Sequence, residues 1–280
     1  MLVRPWLLLG TALVSGCGVG LSSFQPAHVP AQGHLHAELG VDISYPTQTV
    51  SQVIEAAESV EEAADQRTLT DAEKTTIFEG GAALALNPLA ILPHLGVDYA
   101  PWERWEIGAR LSTAGWRLAL RRQLLVQADH GVDLSLGLGV GRAIFTPPIE
   151  EVLSKLEVDD FERWNLDVPV AIGRHGEWYR VWGGPRFMWS TVSQSMTLTL
   201  PDFGGGPPEA NRVSGTVSGR GVYVGGYAGV ALGYKSLFVG PELTLVQLIG
   251  DADVSALGGT QNVAVKSFVV YPAFAVMGEF

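Results

Sequence analysis

Along most of this chain hydrophobic and polar residues alternate with a period of two. From Leu35 to Tyr45, the residues Leu35, Ala37, Leu39, Val41, Ile43 and Tyr45 share one face; His36, Glu38, Gly40, Asp42 and Ser44 share the other. Successive side chains of a β-strand point to opposite faces, so this is a strand with an oily side and a polar side. The same pattern predicts strands over Leu89–Tyr99, Trp105–Leu111, Trp116–Leu124, Val132–Arg142 and Leu166–Gly173. It continues over Tyr179–Ser190, Val222–Tyr234, Leu237–Leu248 and Val263–Phe280, for about ten strands in all. Each oily face must meet a core or lipid.

Connection lengths favour lipid. The links at Ala100–Arg104, Val126–Gly131, Arg174–Trp178 and Lys235–Ser236 are short, and those at Pro46–Pro88, Ala143–Asn165, Thr191–Gly221 and Ile249–Asn262 are long. They alternate, except that Ser112–Gly115 is short where a long link is due. Tight turns at one end and long loops at the other characterise outer-membrane barrels. Trp102, Trp105, Trp116, Trp164 and Trp178 fall at strand ends, where interfacial girdle residues sit. Two long links carry helical stripes: Val50, Val53, Ile54, Ala57 and Val60 in the first, and Ile149, Val152, Leu153 and Leu156 within Pro148–Glu157. Asp202–Pro208 predicts a mobile loop. The expected fold is all-β, an antiparallel transmembrane β-barrel of about ten strands with partly helical external loops. A soluble sandwich or lipocalin-like barrel is the alternative, with the Leu35, Leu39 and Ile43 face as its core.

Composition narrows the picture. Hydrophobic residues make up 47% and mean hydropathy is +0.20. Past the leader, no run reaches the ~18 uninterrupted apolar residues of a spanning helix. The formal net charge is −11 and no basic cluster exists, which argues against a nucleic-acid partner. The chain has one cysteine, Cys17, and so no internal disulfide.

Both chain ends carry further signals. Met1–Gly16 has a cationic start with Arg4, an apolar stretch from Trp6 to Val14, and small residues before Cys17, the layout of a secretory signal. Val14-Ser15-Gly16-Cys17 resembles the lipobox of bacterial lipoproteins, and Phe280 resembles the terminal aromatic of bacterial outer-membrane β-barrels. The chain is similar to Gram-negative barrel lipoproteins. That resemblance implies a signal peptide over 1–16, lipid attachment at Cys17, a lipidated tether over 17–32 and a barrel over 33–280. It implies outer-membrane location with the anchor on the periplasmic side, and Phe280 as a membrane-assembly signal. The implied partners are outer-membrane lipid and the barrel-assembly and lipoprotein-sorting machinery.

The polar faces carry the candidate chemistry. Glu38, Asp42, Asp98, Glu106 and Asp133 are expected to meet Arg110, Arg117 and Arg121 in the lumen, with Arg180 and Arg186 further round. Charges out of bulk water persist when paired, so the expectation is a charged plug. His94, with Asp98 four residues along the same face, is the one mid-lumen candidate for an oriented base, but no serine is placed beside it. His34 and His36 could offer two metal ligands from one face, with no third indicated. Gly137-Leu138-Gly139-Val140-Gly141 lacks the helix that a dinucleotide fingerprint requires. Gly225, Gly229 and Gly233 make room on one inner face. No catalytic residue, metal or cofactor is expected. The expected role is that of a non-enzymatic barrel lipoprotein, structural or binding. The alternatives are a narrow pore, a lipid- or peptide-acting barrel enzyme, and a periplasm-facing soluble domain.

Overall fold

The computed structural model describes residues 20–48, 71–86, 90–143, 156–199, 212–256 and 259–280. Ten antiparallel strands close into a barrel, with β1 (Leu35–Pro46) pairing β10 (Gly259–Glu279). Between them lie β2 (Ala90–Trp102), β3 (Trp105–Ser112), β4 (Gly115–Leu125), β5 (Asp133–Ala143) and β6 (Leu156–His175). β7 (Tyr179–Thr199), β8 (Arg212–Tyr234) and β9 (Leu237–Ala256) complete the ring. Closure leaves no unpaired edge. At the seam, Leu35 and Phe280 exchange two backbone hydrogen bonds of 2.8 Å. The end carrying that seam and the β2–β3, β4–β5, β6–β7 and β8–β9 connections is here the turn end; the opposite one is the loop end.

The wall has two tiers. β3 has eight residues, about 27 Å of strand, close to the ~25 Å apolar band of a membrane barrel. β8 has 23 residues and stands well above it. In the lower tier the outward residues are oily, such as Leu39, Leu95, Leu118, Leu138, Phe187, Val230 and Leu243, all exposed. In the upper tier the sense inverts. Outward residues of β8 become Ser214, Thr216, Ser218 and Arg220, while Val217 and Tyr223 point inward and are buried. On β7, Ser193 and Thr197 face out while Val192 and Met196 face in and are buried. The lower tier is dressed for lipid and the upper one for water.

That inversion explains where the sequence-based strands fall short. The links Thr191–Gly221 and Ile249–Asn262 were expected to be long loops. The ladder instead runs on through Leu198↔Val213 on β7–β8 and through Thr260↔Ser255 on β9–β10. Likewise β6 begins at Leu156, inside the link expected over Ala143–Asn165. The Val50–Val60 stripe and the Asp202–Pro208 loop lie outside the described residues. Of the Pro148–Glu157 stripe only Leu156 and Glu157 are described, and they are strand.

Aromatics mark the rims of the lower tier. Trp102, Trp178, Tyr234 and Phe280 are exposed near the turn end, and Trp164 and Trp189 at the other border of the oily band. Trp164 packs edge-on to Trp116 at 6.0 Å, with the Arg142 guanidinium over its ring. Trp182 is the exception: it faces inward, is buried, and fills space that a side chain at Gly229 would occupy.

Candidate functional site

The lumen is filled by the chain itself, from both ends. From the turn end, residues 20–30 run up inside the barrel rather than forming a free tether. Gly33 N–H donates to the Ala100 carbonyl at 2.8 Å near the seam, while Leu21, Ser22, Ser23, Phe24 and Gln25 are all buried. An irregular segment leaves its backbone groups without ladder partners, and buried ones need compensation. The wall supplies it through charged side chains.

Glu242 on β9 accepts from the backbone N–H groups of Ser23 (2.7 Å) and Phe24 (3.0 Å) and from Trp182 Nε1 (2.8 Å). Arg110 on β3 donates to the carbonyls of Ser22 (2.7 Å) and Ser23 (2.6 Å) and pairs with Glu38. Arg121 on β4 donates to the carbonyls of Pro26 and His28 and grips Glu106 with contacts of 2.7 and 2.8 Å. The Ser22 hydroxyl donates to Asp42 at 2.7 Å, and Tyr271 donates to the other oxygen of Asp42 at 3.2 Å. Charge-assisted bonds of this kind are among the strongest a protein makes, and a closed set of them can hold a segment in one pose.

The structure places Glu38, Asp42, Asp98, Glu106, Arg110, Arg121 and Asp133 all buried and facing inward. They form several small clusters, not one mesh. Arg117 binds Asp167 with two bonds of 2.9 Å, and Arg186 reaches the same carboxylate at 3.3 Å. Asp98 does not orient His94. It accepts from Gln25 at 3.3 Å and lies 3.1 Å from His36 Nδ1, so its imidazole partner is on β1. His94 sits instead against Asp42 (3.4 Å) and the Phe24 ring, and neither of its nitrogens makes a hydrogen bond among the described residues. The Ser22 hydroxyl, beside this group, is committed to Asp42. A nucleophile–base–acid relay needs the serine on the histidine; around His94 the described residues do not have that order. His34 is exposed while His36 is buried, so the pair does not share a ligand face.

From the loop end a helix enters. α1 (Asp71–Leu86) places Phe78, Ala82, Ala85 and Leu86 in a buried cluster with Val192, Met196, Val217, Leu248, Val254 and Val269. From Gly80 to Leu86 this helix is apolar on every side, as suits a core, and its small residues let it fit within the ring. Its end is held by Arg163, which donates to the Ala85 carbonyl at 3.0 Å, and by the Tyr223 hydroxyl, which donates to the Leu86 carbonyl. The described helix of the β1–β2 connection is therefore inside the barrel, not an external loop. Leu21 joins the same cluster, so the two insertions meet. Beside them a cavity of about 50 Å³ is lined by Gly20, Asp42, His94, Arg110, Arg117 and the β3–β4 turn, room for a water or two.

At the turn-end mouth, His28 Nε2 lies 3.0 Å from Glu279 Oε1, and His175 Nδ1 lies 2.6 Å from Asp133 Oδ2. The two imidazoles stack with centroids 4.5 Å apart. Burial pushes the His28 imidazole below its ordinary pKa, against the pull of Glu279. Arg180 holds Glu279 from the far side with bonds of 3.1 and 2.6 Å. Sequence reasoning missed Asp167, Glu242 and Glu279. All three lie on inward phases of predicted strands, so the alternation that exposed Glu38 would have found them. It had no signal for residues 20–28 as the partner of Glu242 and Glu279.

Neither a family model nor a curated protein matches this chain. Among solved structures it is similar to Ail, the attachment invasion locus protein of Yersinia pestis. That match has 10% identity and a TM-score of 0.31, and covers 89% of this chain and 99% of that one. The N-terminal β-barrel domain of Pseudomonas aeruginosa OprF matches at 11% identity and TM-score 0.21, covering 89% and 100%. Neisserial surface protein A, NspA, matches at 8% and 0.26, covering 90% and 100%. The barrel assignment rests on the strand ladder of this chain, and no activity is taken from these proteins.

Proposed function

We propose that this chain is a non-enzymatic outer-membrane β-barrel lipoprotein, with a structural or binding role and a lumen sealed by its own polypeptide. One observation carries this reading: residues 21–28 and Phe78–Leu86 occupy the interior where a solute path or a substrate cleft would have to be. Among the described residues, the surfaces left for partners are the oily band for lipid and the polar upper tier of β7–β10. Phe280, which pairs with Leu35 at the seam, is part of this proposal as the barrel-assembly signal. Unheated protein should migrate faster on a denaturing gel than boiled protein and stay with the membrane through an alkaline wash. A single band that washes off would favour the soluble alternative.

Cys17 lies outside the described residues, and its acylation is part of this proposal. The segment that follows it runs from Gln32 near Pro101 at the turn end up to Gly20 beside the β3–β4 turn. Three residues span at most about 11 Å, too little to return across the oily band. We therefore assign the acyl chains to the leaflet at the loop end, not to the periplasmic leaflet expected from the sequence. Fatty-acid labelling should mark the protein and fail in Cys17→Ser; label persisting in that variant would refute the attachment. Lipase added to intact cells should release the ester-linked label, and release only after lysis would refute the leaflet.

A further inference from the structure

We propose that His28, Asp133 and His175 form a binding site for a divalent transition-metal ion, zinc being the natural occupant, that rivets the N-terminal segment to the barrel wall. The three side chains come from separate parts of the fold: the inserted segment, the start of β5 and the end of β6. Each offers one ligand atom, and these atoms lie within 4.8 Å of one another. A tetrahedral zinc ion with N and O ligands at about 2.0–2.2 Å needs them about 3.4 Å apart. Small side-chain rotations at the mouth, where His175 is partly exposed, bring the wider separations in and open the 2.6 Å contact between His175 and Asp133.

The ligand chemistry selects the ion. Two imidazoles and one carboxylate suit zinc and its neighbours, whereas magnesium and calcium take oxygen ligands. Three protein ligands leave a fourth position for water.

The surroundings are built as a metal site requires. Asp133 is buried, and its second oxygen accepts from Gln123 Nε2 and from the Gln127 backbone N–H, both at 2.8 Å. That fixes the carboxylate with its other oxygen toward His175, in the way outer-shell bonds orient ligands. Gln127 also accepts from the His175 backbone N–H at 2.8 Å and donates to its carbonyl at 3.0 Å, which holds the turn carrying that ligand. Glu279, beside His28, pairs with Arg180, so that cation next to the site is balanced. Without metal each imidazole rests on its own carboxylate. With it, one ion joins both histidines and ties residue 28 to β5 and β6.

The test uses the full-length protein in detergent micelles, tag-free, stripped with EDTA and dialysed. Zinc chloride is titrated and bound metal measured after equilibrium dialysis, with magnesium chloride in parallel. The expected result is one zinc per chain, no magnesium, and affinity at least about tenfold weaker in both His28→Ala and His175→Gln. His175→Gln is the safer variant because that side chain is partly exposed, and retention of fast gel migration shows that it has folded. Zinc should also slow proteolysis of residues 20–32 in the wild type and not in His175→Gln. Failure to bind zinc, or binding undiminished in both variants, would overturn the site.

Discussion

Replacing Arg110 by alanine is expected to destabilise the folded barrel by about 3–5 kcal/mol, the cost of removing one partner of a buried ion pair. Arg110 pairs with Glu38 and donates to the carbonyls of Ser22 and Ser23. Alanine would leave a buried carboxylate and two buried carbonyls without their donor. Lysine should recover only part of the loss, because one ammonium cannot reproduce the planar fork that reaches three acceptors. Urea unfolding in lipid vesicles, followed by tryptophan fluorescence, gives the measurement. A loss below about 1 kcal/mol would mean that the pair is solvated and the inserted segment is not held as described.

Arginine at Leu39 is expected to cost about 2–4 kcal/mol, because the site lies mid-strand on the oily face, near the bilayer midplane. Leu39 is 63% exposed and pairs with Leu95 and Val276, so no polar neighbour shelters the charge. The contrasting variant is Ser218→Arg, on the outward face of β8 in the upper tier. There the change should stay within about 0.5 kcal/mol, as for an ordinary surface substitution. The same vesicle assay compares the two. Equal costs would erase the boundary between the tiers.

That boundary also marks how far the sequence could be read. All ten strands were legible where oily residues alternate outward, because the period of two is a property of local geometry and lipid rewards it. The predicted strands stop at Ser190, start at Val222 and stop at Leu248, where the outward residues turn polar. Beyond those points the alternation persists with opposite chemistry: Thr191, Ser193 and Ser195 face out, while Val192, Gln194 and Met196 face in. Read alone, Ser-Gln-Ser and Gly-rich stretches look like loop; pairing across a long ladder makes them strand.

The lumen was legible by half. Wall residues such as Glu38, Arg110 and Arg121 follow from strand phase alone. Their partners do not, since Ser22, Ser23 and Pro26 accept or donate through backbone atoms that carry no side-chain signature. Gly80–Leu86, apolar all round, shows no amphipathic stripe to betray it, and its place inside the barrel depends on the surrounding inward valines and methionines.

Whether this polypeptide closes its own barrel is decided by planar-bilayer recording of the purified full-length protein. No stable conductance is expected from the unmodified chain. Measurable current is expected once Arg110→Ala and Arg121→Ala together release the grip on residues 22–28. Large, stable single-channel steps from the unmodified protein would contradict this closure.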